Sequence, residues 1–137
     1  MSDYGGGLTL DTGSLIALER PGTQQARTVT AMIVERLDRG CSVTLPTVVL
    51  TEWWRHAPNK GWPRYSPLRA VTVEPLDEDL AKLAGWALGE VGRGPSIVDA
   101  IVVASAAQRC DVVLTTDIGD LERLAALFPR SVRLSRV

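Results

Sequence analysis

Long apolar runs are missing from this chain of 137 residues. None approaches the ~20 consecutive apolar residues that a helix needs to cross a bilayer, so no membrane-spanning helix is expected. Cysteine is scarce. Cys41 and Cys110 are too few for a disulfide framework and do not form a CxxC zinc site. Both flank segments that read as strands, so both are expected as buried thiols. Histidine is scarcer still: His56 stands alone and reads as a loop residue, not as half of a catalytic pair. The opening MSDYGGG has neither the basic region nor the apolar stretch of a secretory signal. Residues 1–7 read as a frayed leader before one domain over 8–137. These absences point to a cytoplasmic protein.

Excess charge is also missing. The net charge of −1 argues at first against a polyanionic partner, but the distribution changes that reading. Of the 15 basic residues, 13 are arginine, the side chain suited to bidentate phosphate contacts and to stacking on bases. Four acids, Asp11, Glu52, Asp99 and Asp117, follow or interrupt apolar runs (LTLDTGS, TVVLTEWW, SIVDAIVVA, VVLTTD). Setting them aside leaves 12 acidic residues against the 15 basic ones. Total charge therefore neither supports nor excludes nucleic acid.

What is present is alternation. Apolar segments at 8–10, 41–45, 70–73, 112–114 and 132–134 read as strands. Between them, Ala26, Val29, Ile33 and Leu37 recur at helical spacing within 23–39, and helices are predicted at 12–17, from Pro46-Thr47 through Glu52, at 77–91, from Ser96 to Arg109 and at 121–127. Strand–helix alternation with short connections predicts an α/β fold, with a mostly parallel sheet covered by helices on both faces. In such a sheet the strand-end acids gather at one edge, where open α/β folds keep their ligands. Carboxylates converging there repel one another unless a cation sits among them. The pattern therefore asks for a hard metal such as Mg2+ or Mn2+.

Each acid also has a plain structural use. Asp11 can cap a helix, Asp99 can complete a capping box with Ser96, and Asp117 can cap the helix after it. Against that, Asp99 lies among Ile97, Val98, Ala100 and Ile101 in a helix that reads as buried nearly all round, where an unpaired carboxylate is costly. Glu52, between Leu50 and Trp53, meets the same difficulty. All four serving structure alone is harder to accept than any one. The motif DTGS at 11–14 resembles the active-site sequence of aspartic proteases, in which two carboxylates share a proton. That fold is nearly all β, whereas here DTGS runs into LIALER and the chain is largely helical in periodicity. A phosphate-accepting receiver domain also gathers acids at strand ends. It would carry paired acids after the first strand and a lysine near the last, and neither is present.

The set LDTGSLIAL, PTVVLTE, SIVDAIVVASA and DVVLTTDIGDL, in that order and spacing, resembles the PIN domain. More narrowly, it is similar to the small PIN toxins of bacterial VapBC toxin–antitoxin pairs. The resemblance covers 8–137 and is strongest in the last third. It implies a three-layer α/β/α sandwich and a divalent-metal-dependent endoribonuclease, with Asp11, Glu52, Asp99 and Asp117 as its acidic pocket. Asp11, Asp99 and Asp117 would serve the metal, Asp117 and Glu52 either directly or through bound water. Ser14 and Thr115 or Thr116 would hydrogen-bond the carboxylates or the scissile phosphate, and Asp120 is a fifth acid or a helix cap. A VapB-like antitoxin and a homodimer are the implied partners. A PIN-like nuclease of DNA or RNA processing, or a binding module without catalysis, are the alternatives within the same fold.

The segment 55–69 departs from the plain pattern. It carries Arg55, Lys60, Arg64 and Arg69 without an acid, with Trp62 and Tyr65 among them and Trp53 and Trp54 just before. Basic residues interleaved with aromatics suit single-stranded RNA, through phosphate pairing and base stacking. The alternative is a solvated loop with its tryptophans in the core or against a partner. The same aromatic surface is where an antitoxin would be expected to dock.

Overall fold

The computed structural model describes residues 6–55 and 66–137. Along them run β1 (Leu8–Leu10), α1 (Thr12–Leu18), α2 (Gln24–Asp38), β2 (Val43–Pro46), α3 (Thr47–Trp54), a 3-10 turn (Ser66–Ala70), β3 (Thr72–Glu74), α4 (Glu78–Val91), α5 (Ile97–Arg109), β4 (Val112–Thr115), α6 (Gly119–Ala125) and β5 (Arg133–Arg136). The five strands stand in the order β3-β2-β1-β4-β5, and every pairing is parallel. The expected α/β class is therefore found, with a wholly parallel sheet.

Burial follows position in the sheet. Every residue of β1, β2 and β4 is buried, as in strands covered on both faces, whereas the edge strands β3 and β5 are half exposed. The central cover is α5, buried without a break from Ala100 to Ala106 and packed against β1, β2, β4 and the helices α4 and α6. A helix surrounded on so many sides is apolar nearly all round. Its start is set by a full capping box: Ser96 Oγ accepts from Asp99 N at 3.0 Å, and Asp99 Oδ2 accepts from Ser96 N at 3.1 Å.

Four expectations change. The strand expected at 70–73 begins at Thr72, because Leu68, 1% exposed, anchors a 3-10 turn that Ala70 closes and the Val71 N–H seals onto the Leu68 carbonyl. Both cysteines are half-buried rather than buried; Cys110 ends α5 in the left-handed region at φ 57°. The first residue of α5, Ile97, is 68% exposed and Asp99 is half-buried, so the helix is not enclosed at its first turn and Asp99 escapes the full cost of burial. Gly6 and Gly7, assigned to the leader, are buried. The Gly7 carbonyl accepts from Val112, and a Cβ on Gly7 would lie 2.4 Å from Asp111 Oδ1.

That contact points to a polar network inside the fold. Asp111, 1% exposed, accepts from Thr9 Oγ1 and from Arg109 Nε, both at 2.9 Å. Arg109 also pairs with Glu74 at 2.5 Å and donates to Thr9 and Ser105 hydroxyls at 2.9 and 2.8 Å. One guanidinium thus ties β1, β3, α5 and the start of β4 together, with each of its nitrogens bonded.

Candidate functional site

The strand order makes the site predictable in kind. Beyond β1 the chain builds outward through β2 and β3 on one side and through β4 and β5 on the other, so the topological switch lies between β1 and β4. Open parallel sheets bind ligands outside the carboxyl ends of the strands at such a point. Leu10 and Leu114 are paired there, followed by Asp11 on one strand and by Thr115, Thr116 and Asp117 on the other. A cavity of about 200 Å3 opens at this edge, and Asp11, Glu52, Asp99, Asp117 and Asp120 all line it. Elements far apart in sequence bring all four primary acids and the fifth to one place.

Each acid is held by a local bond that also explains its place in the sequence. Asp11 caps α1, its Oδ1 accepting from Ser14 N at 2.9 Å. The fully buried Ser14 Oγ stands 2.5 Å from the Leu114 carbonyl and 3.1 Å from Asp11 Oδ1, bridging the end of β4 to the first acid. Glu52 extends from α3 and accepts from Thr12 Oγ1 at 2.5 Å. Asp99 sits in the capping box of α5. Asp117 Oδ1 accepts from Gly119 N at 3.2 Å, while Thr115 Oγ1 braces the same turn by donating to the Asp117 carbonyl and accepting from its N–H. Asp120 lies in the first turn of α6, where its charge suits the helix dipole. The cap roles and the site roles are therefore compatible. Among the described residues, Glu52, Asp99 and Asp117 each commit one carboxylate oxygen in this way and keep the other free.

Val98, Val102 and Leu121 line the cavity beside the acids, and these apolar walls raise the cost of charge within it. Asp11 shows the effect. Burial pushes its carboxyl above the ordinary 3.8, the neighbouring polar groups of Thr115 and Ser14 oppose the shift, and the nearby charge of Asp99 adds to it. Among the described residues, no three acidic, histidine or cysteine side chains stand close enough to clasp a metal ion directly. The carboxylates share a cavity without closing on one point.

The raised Asp11 gives a prediction with a definite sign. In the folded chain it keeps its proton at pH values where the unfolded chain has lost it. Its contribution to stability is full below 3.8 and is lost as pH rises through the raised folded value. Asn caps a helix about as well as Asp and cannot ionise. In EDTA, Asp11→Asn should therefore melt higher than wild type at pH 7, and the gap should narrow towards about pH 3. Thermal melts across that range check this; a gap independent of pH would contradict it.

Gly13 supplies a contact that the residue types alone do not announce. A Cβ there would fall 2.2 Å from Thr116 Oγ1, so the first turn of α1 is pressed against the loop after β4. The only sign in the sequence is a glycine two positions after the capping residue. The Thr12–Glu52 bond was equally hidden, since it spans 40 positions.

The expected RNA-binding residues are only partly placed. Arg55 and Arg69 are exposed, while Lys60, Trp62 and Arg64, like His56 and Tyr65, lie outside the described residues. Trp53 does not offer exposed aromatic surface. It is 2% exposed within the core, edge-on to the half-buried Trp54 at 5.9 Å. Trp54, with Leu50, Thr51, Arg55 and Val73, instead lines a largely apolar hollow of about 600 Å3.

The architecture is that of the VapC-type PIN-domain toxins. The chain resembles VapC20 of Mycobacterium tuberculosis, a sarcin–ricin-loop-cleaving toxin, at 26% identity and a TM-score of 0.60, covering 88% of this chain and 95% of that one. It resembles VapBC2 of Rickettsia felis, solved on a promoter DNA fragment, at 14% identity and a TM-score of 0.68, covering 96% and 98%. DNA-bound VapBC of Salmonella typhimurium gives 18% identity and a TM-score of 0.69, covering 94% and 96%. No protein-family model and no curated protein matches the sequence. The fold excludes both competing readings of the acids: DTGS leads into a helix of a parallel α/β domain, and the strand order differs from the 2-1-3-4-5 order of receiver domains. Among the described residues no helix is long and apolar enough to cross a membrane.

Proposed function

We propose that this chain is a divalent-metal-dependent endoribonuclease and the toxin of a toxin–antitoxin module, acting in the cytoplasm on RNA. The observation that carries the reading is the convergence of five carboxylates on one cavity at the switch point of the sheet. Likeness to the VapBC structures supports the toxin assignment and a VapB-like antitoxin as partner. A homodimer is part of the same proposal.

The donor set fits a hard cation such as Mg2+ or Mn2+. The polar groups lining the cavity offer oxygen, with no thiol or imidazole among them. Mg2+ keeps several of its waters, so carboxylates that do not meet at one point can still hold it. Asp11, Asp99 and Asp117 are the residues for that task. When bound, the cation supplies positive charge against the scissile phosphate. The chain does the rest. Ser14 fixes Asp11, Ser96 fixes Asp99, and the Gly119 N–H fixes Asp117. Glu52, steadied by Thr12, would take a proton from the attacking water. Thr116 presents a hydroxyl on the cavity wall for a phosphate oxygen. The exposed Arg55 and Arg69, with Lys60, Trp62 and Arg64, would extend the RNA contacts.

A growth experiment tests the biological half of this reading. Expression of the chain alone should arrest growth, and Asp99→Asn should relieve the arrest. A cognate antitoxin encoded beside it should do the same, and an arginine from such a partner would bind strongly among the carboxylates. Harmless expression of a chain whose nuclease activity is intact would overturn the toxin assignment and leave the enzyme assignment standing.

A further inference from the structure

Beside the carboxylate cavity lies a second hollow of about 280 Å3, and Gly13 and Thr116 line both. Its other walls include Ile16 on α1, Arg20 in the turn that follows, and Thr23 and Gln25 at the start of α2. The turn is built, not loose. Thr23 N and Oγ1 both donate to the Arg20 carbonyl, at 3.2 and 2.8 Å, and Thr23 Oγ1 accepts from Ala26 N at 3.1 Å. Arg27 donates to the Gly22 carbonyl at 2.6 Å, closing the turn where Gly22 takes φ 90°. Among the described residues the Arg20 guanidinium itself has neither a hydrogen bond nor an ion pair. Ile16 is 50% exposed, large and apolar on the same rim.

These features answer an electrostatic difficulty in the proposed function. A cavity lined by five carboxylates repels the backbone of the polyanion it is meant to cut. A cation inside the cavity can offset that at the scissile phosphate, but the neighbouring phosphates need a positive partner nearby. Arg20, exposed on the wall of the adjoining hollow, is such a partner. The volume lies near the roughly 300 Å3 at which small-ligand cavities begin, enough for one nucleotide unit and not for a folded segment.

We propose that this hollow is a subsite for the RNA nucleotide adjoining the cleaved bond, with Arg20 on its phosphate, Ile16 against its base face and Gln25 at its base edge. The inference rests on the ribonuclease reading above and deepens it. Unstacked RNA bases are recognised by this combination of stacking or apolar contact, edge hydrogen bonds and a guanidinium on the backbone. The shared wall of Gly13 and Thr116 would lead the strand from this subsite into the carboxylate cavity.

The test compares the full chain with Arg20→Ala, Arg20→Lys and Gln25→Ala, using a single-stranded RNA of mixed sequence. Affinity is measured in EDTA at two salt concentrations, and single-turnover cleavage is measured with Mn2+. Arg20→Ala should weaken binding roughly tenfold, as expected for loss of one charged hydrogen bond. It should also lower the slope of log affinity against log salt by about 0.7, one phosphate contact on a single strand. Arg20→Lys should restore the slope. Gln25→Ala should keep the slope and change which base flanks the cut. Unchanged affinity and slope in a folded Arg20→Ala, with wild type binding and cutting RNA, overturns the subsite alone. The same is true if Arg20→Ala loses only affinity for a protein inhibitor. A wild-type chain that neither binds nor cuts RNA overturns the ribonuclease reading, and the subsite with it.

Discussion

Asp99→Asn is expected to lower metal-dependent RNA cleavage by on the order of 10³-fold, the scale of removing one preorganised electrostatic group from an active site. The fold should survive. Asn keeps an oxygen that can accept the Ser96 N–H, so the capping box that starts α5 is retained while the charge is removed. Loss of that charge also relieves Asp11, whose carboxyl Asp99 helps to raise. The variant should therefore melt no lower than wild type in EDTA, and NMR titration should find Asp11 moved back towards its ordinary value. Cleavage within about tenfold of wild type would remove Asp99 from the proposed machinery.

Arg109→Ala is expected to cost about 3 kcal/mol of folding stability, the low end for stranding a partner of a buried ion pair. The low end applies because the Glu74 side chain is 22% exposed and can be partly resolvated, whereas the Asp111 side chain, at 2%, cannot. For a domain of this size the melting temperature should fall by roughly 10 °C. Asp111→Asn in the Arg109→Ala background should recover part of the loss, since the cost comes from an unpaired buried charge. Additive losses in that double variant would contradict the assignment. Nuclease chemistry is the wrong readout here, because the network lies outside the carboxylate cavity.

These two residues also divide what the sequence discloses from what it conceals. Asp99 is legible as a site acid because it interrupts the apolar run SIVDAIVVA, while Ser96 three positions before it announces only its cap. Asp11, Glu52 and Asp117 were legible for the same reason, as acids following or interrupting apolar runs. Parallel pairing then decided that they meet. Asp111 has the same chemistry and stands directly before a strand, yet it belongs to the packing. Only its bonds to Thr9 and Arg109 distinguish it, and the first of these spans 102 positions. Ile97 misled for a related reason. Hydrophobic pattern gives the period of a helix but not where its cover ends, and at the first turn of α5 the cover has ended. Trp53 and Trp54 are adjacent and chemically identical, and only the fold sends one to the core and leaves the other beside an apolar hollow. Arg20 carried no signal at all, since an arginine after a short helix reads as solvated surface until the second hollow is seen.

The most direct measurement is cleavage of single-stranded or loop-containing RNA by the purified chain, free of any partner, as Mg2+ or Mn2+ is titrated in and then removed with EDTA. The account predicts no cleavage without the cation, cleavage that rises as it is added, and a complete stop when it is chelated. Full activity in EDTA, or none with either cation in a folded chain free of inhibitor, would contradict it.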